Sequence, residues 1–242
     1  MKKIIQDIFS RPVFQKPFEL LLNFSLKGMN IGEGQAVETS GEKNVVELLS
    51  TIANDKEVIV FDVGAHTGEW LAMFQKFYTK KATVYSFEPE KRAFVELSKI
   101  KMGGFHPVNL ALGDTAGTKY LSAAQVHDTK NTESEEVTIT TLDAYCSLNK
   151  ISHIDLLKID IEGYELKLLH GAKNMIQNGN IKLIQFEFGA PSEQKYSMQE
   201  FFDILGEQYR ICRILKHGVY PLKEYKHYYE VLSVTNFVAI KK

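Results

Sequence analysis

The sequence predicts an α/β fold, because strand-like and helix-like patterns alternate along the chain from residue 56 onward. The first apolar, β-branched run covers residues 58–63, and a helical pattern follows it from Glu69. Strands that alternate with helices imply a parallel sheet with helices on both faces, joined by right-handed crossovers. We therefore expect a doubly wound, Rossmann-like, mostly parallel sheet of about seven strands, with an N-terminal helical extension.

Residues 1–55 are predicted to form a helical or lid segment ahead of a second domain at residues 56–242. The segment 28–42 is rich in glycine and polar side chains, which is typical of a loop that connects elements or folds over a pocket as a lid. Before it, apolar residues recur at helical spacing: Ile4, Ile5, Ile8, Phe9, Phe18, Leu21, Leu22 and Leu26. We expect these helices to pack on the rest of the chain or on a second subunit. Peripheral contact with a membrane surface is the alternative, because basic residues lie nearby: Lys2, Lys3, Arg11, Lys16 and Lys27.

The remaining strands are predicted near residues 83–87, 108–112, 154–160, 181–187, 209–215 and 231–240. Helices are predicted near residues 69–78, 91–101, 163–179 and 198–208. Between residues 119 and 145 short polar and β-branched pieces interrupt the alternation. We expect a hairpin or a strand excursion there instead of a helix.

Composition limits the classes of function. The chain has 242 residues and a net charge of −1, and this balance disfavours a dedicated nucleic-acid-binding role. No apolar run is long enough to cross a bilayer, and Asp7 interrupts the first apolar stretch, which does not have the pattern of a signal peptide. Cys146 and Cys212 form no C-x-x-C pair, as expected of reduced thiols, so we expect a cytoplasmic protein.

The turn after the first strand points to a ligand. It contains Gly64 and Gly68, where a Cβ would block a tight bend or the close approach of a ligand. The next strand ends in Glu88, where a carboxylate can grip a ribose diol. The G-x-G-x-x-G pattern of dinucleotide sites is absent, and Asp62 precedes the glycines, where an acid disfavours a pyrophosphate. An acid there suits an ammonium or sulfonium group, and S-adenosylmethionine (SAM) has both, together with a ribose.

Four of the predicted strands end in acids, namely Asp62, Glu88, Asp160 and Glu187. Acids are seldom fully buried without partners, and ligands of open α/β sheets bind beyond the carboxyl ends of the strands. We therefore expect the four acids to converge on one site.

These motifs resemble the FkbM-type family of class I SAM-dependent methyltransferases. The matching segments are F-D-V-G-A-H-T-G at 61–68, S-F-E-P at 86–89, N-L-A-L-G-D at 109–114, T-L-D at 141–143 and I-D-L-L-K-I-D-I-E-G-Y-E at 154–165, with Gly171 and Ala172 beyond. Their order and spacing agree from about residue 57 to residue 190, a little over half of the chain. The first and last parts of the chain match only loosely, and we expect them to choose the substrate.

The resemblance implies a class I methyltransferase sheet and a role for each motif. The glycine turn, with Asp62 behind it, would hold the methionine end of SAM, and Glu88 would take the ribose hydroxyls. Residues 109–112 would line the adenine pocket, while Asp160 and Glu187 would face the transferred methyl group and the acceptor. The predicted SAM site comprises Asp62, Gly64, Ala65, His66, Gly68, Glu88, Pro89, Asn109, Ala111, Leu112 and Asp160. Family members are described as O-methyltransferases of polyketides, sugars or glycans, so we expect a hydroxyl acceptor on a glycan or a small natural product.

An alcohol is a weak nucleophile, so a base that accepts its proton would help. Asp160 is our first candidate for this base and Glu187 our second. Glu162 would share the face of Asp160 if strand geometry persisted, and the two acids would then form a like-charge pair with one raised pKa. Such carboxylates can also hold a divalent cation, but we favour a metal-free base and predict no metal site. The alternative for Asp160 and Glu162 is capping of a helix that begins near Gly163.

Other residues near the motifs have two interpretations each. Lys158 is expected to neutralise Asp160, touch the substrate or form a structural ion pair. For His66 we favour a role in the backbone turn over a role as a base. The tyrosines near the C-terminus fit a core or an interface better than a platform for a sugar ring: Tyr220, Tyr225, Tyr228 and Tyr229.

Two other functions compete with this prediction. A non-catalytic SAM-binding scaffold would keep the fold without turnover. A nicotinamide-dependent oxidoreductase is disfavoured by the absent G-x-G-x-x-G pattern and by the position of Asp62.

Overall fold

The computed structural model describes residues 2–34, 37–122, 125–130, 132–189, 196–231 and 233–242. The side chains of residues 2–4, 37 and 38 lie outside this description, and with them those of Lys2, Lys3 and Ile4. The helices are α1 (Lys2–Phe9), α2 (Pro12–Gly28), α3 (Val37–Ser40), α4 (Lys43–Ile52), α5 (Glu69–Phe77), α6 (Lys91–Leu97), α7 (Leu142–Leu148), α8 (Glu165–Gly171), α9 (Lys173–Gln177) and α10 (Met198–Leu205). The strands are β1 (Val58–Val63), β2 (Ala82–Phe87), β3 (Phe105–Val108), β4 (Ala111–Leu112), β5 (Gly117–Ser122), β6 (Gln125–His127), β7 (Glu135–Thr140), β8 (Ile154–Ile159), β9 (Ile181–Phe188), β10 (Tyr209–Leu215), β11 (Gly218–Pro221) and β12 (Thr235–Lys241).

The main sheet has eight strands in the order β11-β10-β12-β9-β8-β1-β2-β3. Strands β3, β2, β1, β8 and β9 are parallel to one another, whereas β12, β10 and β11 join in antiparallel pairs. The order reverses between β1 and β8, which is the type of position where doubly wound sheets bind ligands. This architecture confirms the predicted fold class.

Three details differ from the predicted elements. β11 is an additional short strand with exposed residues, so it carries little apolar pattern and was not predicted. The predicted strand at residues 108–112 is divided between β3 of the main sheet and β4 of a second sheet. The predicted helix at residues 163–179 is interrupted at Ala172, between α8 and α9.

The predicted strand excursion between residues 119 and 145 forms this second, smaller sheet. Its order is β4-β7-β5-β6, and β5 pairs in antiparallel fashion with both β6 and β7. Leu121 of β5 and Val126 of β6 lie on a cavity at the edge of the main sheet. The excursion therefore builds a wall of the site described below.

The core lies on both faces of the main sheet. On one face, α8 and α10 cover residues such as Phe61, Leu157 and Phe186. On the other face, α5 and α4 cover Val60 and Leu156 with a cluster that includes Val45, Val46, Leu49, Trp70 and Phe74. Helix α4 is therefore part of this core, although it precedes the predicted start of the second domain at residue 56.

Helices α1 and α2 do not pack on this core. Helix α2 has no buried residue, and Val13 and Phe24 are 72% and 76% exposed. Our expectation that these helices pack on the rest of the chain is therefore wrong. The ring of Phe9 contacts those of Phe14 and Phe18, so the two helices share one continuous apolar surface. Contact with a second subunit or a membrane surface stays a prediction. None of the described helices combines the length and apolar character needed to span a bilayer.

The segment after α2 is tied to the sheet. The backbone N–H groups of Gly32 and Gly34 donate to the carbonyl of Val234, each at 3.1 Å. The side-chain amide of Asn30 donates to the carbonyls of Ser40 and Ile214. Residues 28–34 are thus anchored beside β10 and β12, and a lid role for the segment stays a prediction.

Candidate active site

A cavity of about 380 Å³ opens at the carboxyl ends of β1, β2 and β8. Its volume falls within the range of small-molecule sites. Seven residues of the predicted SAM site line it: Gly64, His66, Glu88, Pro89, Ala111, Leu112 and Asp160. Four others lie behind the lining: Asp62, Ala65, Gly68 and Asn109. The structure thus gathers most of the predicted residues around one space.

The glycine turn depends on Gly64 for steric reasons. Gly64 has a φ of 79°, and a Cβ on it would lie 1.8 Å from the carbonyl oxygen of Asp160. The backbone N–H groups of Gly64 and Ala65 both donate to the carbonyl of Phe87 at 3.0 Å. The turn is therefore locked between the ends of β2 and β8, and a larger residue at 64 would displace it.

Gly68 and His66 complete the turn. Gly68 is the N-cap of α5 with a φ of 99°, and its Cβ would collide with Ile100. His66 also has a positive φ, and its imidazole is largely exposed beside Glu69. Its backbone N–H, not its ring, donates to a site carboxylate, which agrees with the predicted backbone role.

The carboxylate of Glu88 links the two neighbouring strand ends. Its two oxygens accept the backbone N–H groups of His66 and Glu90, both at 2.8 Å. Burial raises the pKa of Glu88, while these two hydrogen bonds act in the opposite direction. Each carboxylate oxygen has a further lone pair, so Glu88 can accept additional hydrogen bonds from the cavity side.

Asn109 holds the chain around Glu88. Its side-chain amide donates to the carbonyls of Glu88 at 2.8 Å and Pro89 at 3.0 Å. The next residues, Leu110 to Leu112, line the cavity. The wall predicted at residues 109–112 therefore consists of the three apolar residues, and Asn109 positions it from behind.

Lys158 is the centre of a buried charge cluster. Its Nζ lies 3.2 Å from Asp62 and 3.3 Å from Asp160, and it donates to the carbonyl of Gly64 at 3.3 Å. All three ammonium protons thus have partners, and the side chain is only 4% exposed. Of the predicted alternatives, the structure shows the ion pairs and not a free cation that could touch substrate.

A third carboxylate, Glu42, belongs to this cluster and was not predicted. It precedes α4, accepts a hydrogen bond from Gln185 and another from Ser40, and is 7% exposed. Burial alone would lower the pKa of Lys158, but Asp160, Asp62 and Glu42 outweigh it and raise that pKa. Burial raises the pKa values of Asp62 and Glu42, against the opposing effect of Lys158. One cation faces three carboxylates, so the cluster suits a cationic ligand.

The turn after β8 separates Asp160 from Glu162. β8 ends at Ile159, and Glu162 has a φ of 51° and an exposed side chain. The predicted like-charge pair on one strand face is therefore wrong, because the strand ends before these residues. Helix α8 begins at Glu165 with Tyr164 as its N-cap, so Glu162 lies two residues before the capping position.

Glu165, the last residue of the motif at 154–165, stabilises this turn, a role that the sequence did not predict. It accepts the backbone N–H groups of Ile161 and Gly163, both at 3.1 Å. Burial raises its pKa to about 7 in spite of these hydrogen bonds. Glu165 thereby orients the turn that carries Asp160 to the cavity.

Asp160 and Glu187 differ in their surroundings. The side chain of Asp160 is 42% exposed, lines the cavity and is paired with Lys158. Glu187 is half-buried near the end of β9, and burial, with further contributions from Asp160 and Glu162, raises its pKa to about 9. The structure brings the two carboxyls close enough to influence each other, but only Asp160 is part of the cavity wall.

Four further apolar residues of the wall were not predicted, and the acids Glu90 and Glu162 also line the cavity. The four apolar residues are Leu121 and Val126 of the small sheet, with Ile161 and Tyr164 of the turn after β8. No sequence signal marks Leu121 and Val126, because only folding brings the excursion to the cavity, whereas Ile161 and Tyr164 lie within the family motif at residues 154–165. Among the described residues, no three or more His, Cys, Asp or Glu side chains are grouped as metal ligands.

The sheet order and the site at its topological switch point define a class I SAM-dependent methyltransferase fold. The methyltransferase FkbM of Methylobacillus flagellatus KT has a similar structure, with a TM-score of 0.52 and 16% identity over 76% of this chain and 43% of that chain. Weaker similarity, with a TM-score of 0.46 and 11% identity, extends to the magnesium protoporphyrin IX methyltransferase ChlM of Synechocystis PCC 6803, over 84% of this chain and 80% of that chain.

The family model described as the methyltransferase FkbM domain matches residues 62–212, which is more than half of the chain. The protein belongs to the FkbM methyltransferase family, as the sequence motifs predicted. The hexuronic acid methyltransferase AglP of Haloferax volcanii is 26% identical over 157 residues. That match covers 62% of this chain and 64% of AglP, so it spans less than two thirds of the relative.

Proposed function

We propose that the protein transfers a methyl group from SAM to a hydroxyl group of a sugar. The observation that carries this proposal is the cavity at the ends of β1, β2 and β8, with Glu88 at one side and the Lys158 cluster at the other. Membership of the FkbM methyltransferase family supports the reaction. The similarity to AglP, a hexuronic acid methyltransferase, supports a sugar as the acceptor.

The residues of the cavity fit SAM in three respects. Glu88 offers two lone pairs to the ribose hydroxyls, while Leu110, Ala111 and Leu112 form an apolar slot for the adenine ring. The excess of carboxylates over cations around Lys158 complements the ammonium and sulfonium groups. Gly64 keeps the approach to the turn free of a Cβ. When bound, SAM supplies a methyl group that is already activated by its sulfonium.

The protein contributes alignment and a base. In-line transfer gains most of its rate from proximity and orientation, which a rigid turn provides. Asp160 accepts the proton of the acceptor hydroxyl, since its carboxylate lines the cavity and is partly exposed to it, and Lys158 holds that carboxylate in place. Lys158 is itself held by Asp62, so Asp62 acts through the lysine and not by direct contact with SAM.

Calorimetric titration with SAM, S-adenosylhomocysteine and NAD tests the cofactor. We expect micromolar affinity for both adenosyl ligands and none for NAD. Binding of NAD alone would instead assign an oxidoreductase.

Methyl transfer to the acceptor is then followed with labelled SAM, using glucuronic acid oligosaccharides, neutral oligosaccharides and a polyketide alcohol. Labelling of a saccharide supports the proposal. Labelling of the polyketide alone would contradict the sugar acceptor. Cofactor binding without turnover on any acceptor would indicate a scaffold.

A further inference from the structure

A second cavity, of about 690 Å³, lies at the other end of the main sheet beside β10 and β11. Its wall includes Arg213, Tyr220, Tyr228 and Tyr229, and two lysines stand at its border, Lys223 and Lys226. None of these residues lines the cavity at the glycine turn. The second cavity is thus lined by cations and by aromatic rings that carry a hydroxyl.

Arg213 is a buried arginine that has no counter-ion among the described residues. It is 7% exposed, and its Nε has no hydrogen-bond partner in that part of the chain. No carboxylate in the described part of the chain forms an ion pair with it. The described contact of its guanidinium is with the ring of Tyr220, whose centroid lies 5.8 Å away. Proteins seldom bury an arginine without a partner, because the desolvation cost of the charge is then not offset.

The neighbouring groups do not supply the missing negative charge. Among the residues that the structure describes, the acid at the cavity wall is Glu224, which is largely exposed and pairs with Lys226 at 3.8 Å. Burial raises the pKa of Tyr229 to about 12, so its phenol is neutral under ordinary conditions. Burial also lowers the pKa of Arg213, but a guanidinium stays protonated in proteins. The cavity therefore holds a net positive charge that an anion would balance.

The register of the sheet relates this cavity to the methyl-transfer site. Arg213 pairs with Phe237, and Phe237 pairs with Phe186, the residue before Glu187. β10 runs parallel to β9, because each is antiparallel to the strand between them. Arg213 thus lies level with Phe186 and two strands away from it, which is about 10 Å between the backbones at the usual strand spacing. Because side chains alternate along a strand, Arg213 points to the face that Phe186 shares and Glu187 points to the opposite face. A ligand that reached both would therefore pass over the carboxyl edge of the sheet.

We propose that Arg213 is the centre of an anion-binding subsite that takes the carboxylate or phosphate of a sugar residue in the acceptor. The guanidinium pairs with two oxygens of the anion, and Lys223 adds a cation at the mouth. The tyrosine rings at the cavity wall pack against the apolar face of the pyranose, and the exposed hydroxyl of Tyr220 makes polar contacts with it. Assignment of the ligand to the acceptor rests on the proposed function, whereas the anion site rests on Arg213 itself.

Binding of three probes to the full chain tests the subsite: a glucuronic acid disaccharide, glucose 1-phosphate and a neutral glucose disaccharide. Saturation-transfer NMR and calorimetry are run without SAM, so the result does not depend on methyl transfer. We expect at least one anionic probe to bind and the neutral disaccharide not to bind, and the stronger of the two anionic probes identifies carboxylate or phosphate as the source of the charge. Equal binding of the neutral disaccharide, or no binding of any probe at millimolar concentration, would overturn the proposal.

The variant Arg213→Met has a matched control in Arg210→Met, since Arg210 is an exposed arginine of the same strand. We expect Arg213→Met to lower the affinity for the anionic probe roughly 10- to 100-fold, and Arg210→Met to leave that affinity unchanged. Arg213→Met should keep the wild-type affinity for SAM and unfold at an equal or higher temperature, since it removes an unpaired buried charge. Unchanged affinity for the anionic probe in Arg213→Met would contradict the subsite.

If Arg213→Met did not fold, Lys223→Gln would provide the second test. Lys223 is exposed, so this variant should fold normally, and its affinity for the anionic probe should be about two- to fivefold lower than that of the wild type. Unchanged affinity in that variant would count against the proposal. Failure of SAM to bind the wild type, with the anionic probe still bound, would overturn the proposed methyl transfer and leave the anion site standing.

Discussion

The two ends of the main sheet differ in whether their charged side chains have hydrogen-bond or ion-pair partners within the protein. At the end formed by β1, β2 and β3, the carboxylate of Glu88 accepts two backbone N–H groups, and Asp62 is paired with Lys158. At the end formed by β9, β12, β10 and β11, Arg213 is buried and Glu187 is half-buried, and neither forms a hydrogen bond or an ion pair with another described residue. The charged side chains at the first end therefore have partners within the protein, whereas those at the second end have none among the described residues.

This difference indicates how the two ends bind their ligands. A satisfied carboxylate is already in place before the cofactor arrives, so little reorganisation is needed at the glycine turn. A buried charge without a partner destabilises the protein until a ligand supplies the partner. We expect the first end, called the cofactor end below, to bind SAM without the acceptor. We expect the second end, called the acceptor end, to be stabilised when the acceptor binds.

The largest expected effect is that of removing the proposed base, which should lower the turnover number far more than the affinity for SAM. In Asp160→Asn we expect the turnover number to fall about 10²- to 10⁴-fold, because the amide cannot accept the acceptor's proton. The affinity for SAM, measured by calorimetry, should fall much less than the turnover number, since the amide keeps the shape of the wall and removes only one of the carboxylates around Lys158. The control is Asp203→Asn, an exposed acid of α10. Turnover within tenfold of the wild type would exclude Asp160 as the base and favour Glu187.

Removal of Glu88 should act on the cofactor end alone. Glu88→Ala is expected to lower the affinity for SAM roughly 100-fold. Two charge-assisted hydrogen bonds to the ribose are lost, and the backbone N–H groups of His66 and Glu90 lose their acceptor. Affinity for an anionic sugar at the second cavity should be unchanged, which is measured on the same samples. Glu96→Ala, an exposed acid of α6, is the matched control. If Glu88→Ala bound SAM as tightly as the wild type, the assignment of the cofactor end would be wrong.

The smallest effect concerns the unpaired acid at the acceptor end. The pKa of Glu187 rises from its usual 4.5 to about 9 on folding, mainly through burial. Between these values the folded chain holds a proton that the unfolded chain has released, so this group lowers stability as pH rises. Glu187→Gln removes the titration, and its melting temperature should exceed that of the wild type increasingly from pH 5 to pH 9. A gain of a few degrees is expected, at about 2–4 °C per kcal/mol for a chain of this size.

The control for this prediction is Glu207→Gln, an exposed acid that follows α10. Its melting temperature should follow the wild type at every pH. A difference between Glu187→Gln and the wild type that did not grow with pH would mean that Glu187 is already ionised in the folded protein. In that case the surroundings of Glu187 would stabilise its charge, and the contrast between the two ends would be lost for this residue.

Most of the cofactor end could be predicted from the sequence, because its determinants are local. Gly64 and Gly68 occupy positive-φ positions of one short turn, and Glu88 directly follows a strand. Strand ends converge at one edge of a parallel sheet, so the position of an acid in the sequence predicts its position in space. The excursion at residues 119–145 was also predictable, since it broke the alternation of strands and helices. The local role of Asn109 was missed, because its amide turns back to the carbonyls of Glu88 and Pro89.

The sequence by itself therefore determined the fold class, the family and the chemistry of the glycine turn, all of which depend on short-range patterns. Only the tertiary structure decided that Glu42 joins Lys158 across a separation of more than one hundred residues, and that α1 and α2 leave their apolar surface exposed. It also decided that Arg213 is buried with no counter-ion from the described ranges of the chain. The physical reason is that burial and charge pairing are set by contacts between distant segments, and a local pattern does not encode which segments meet.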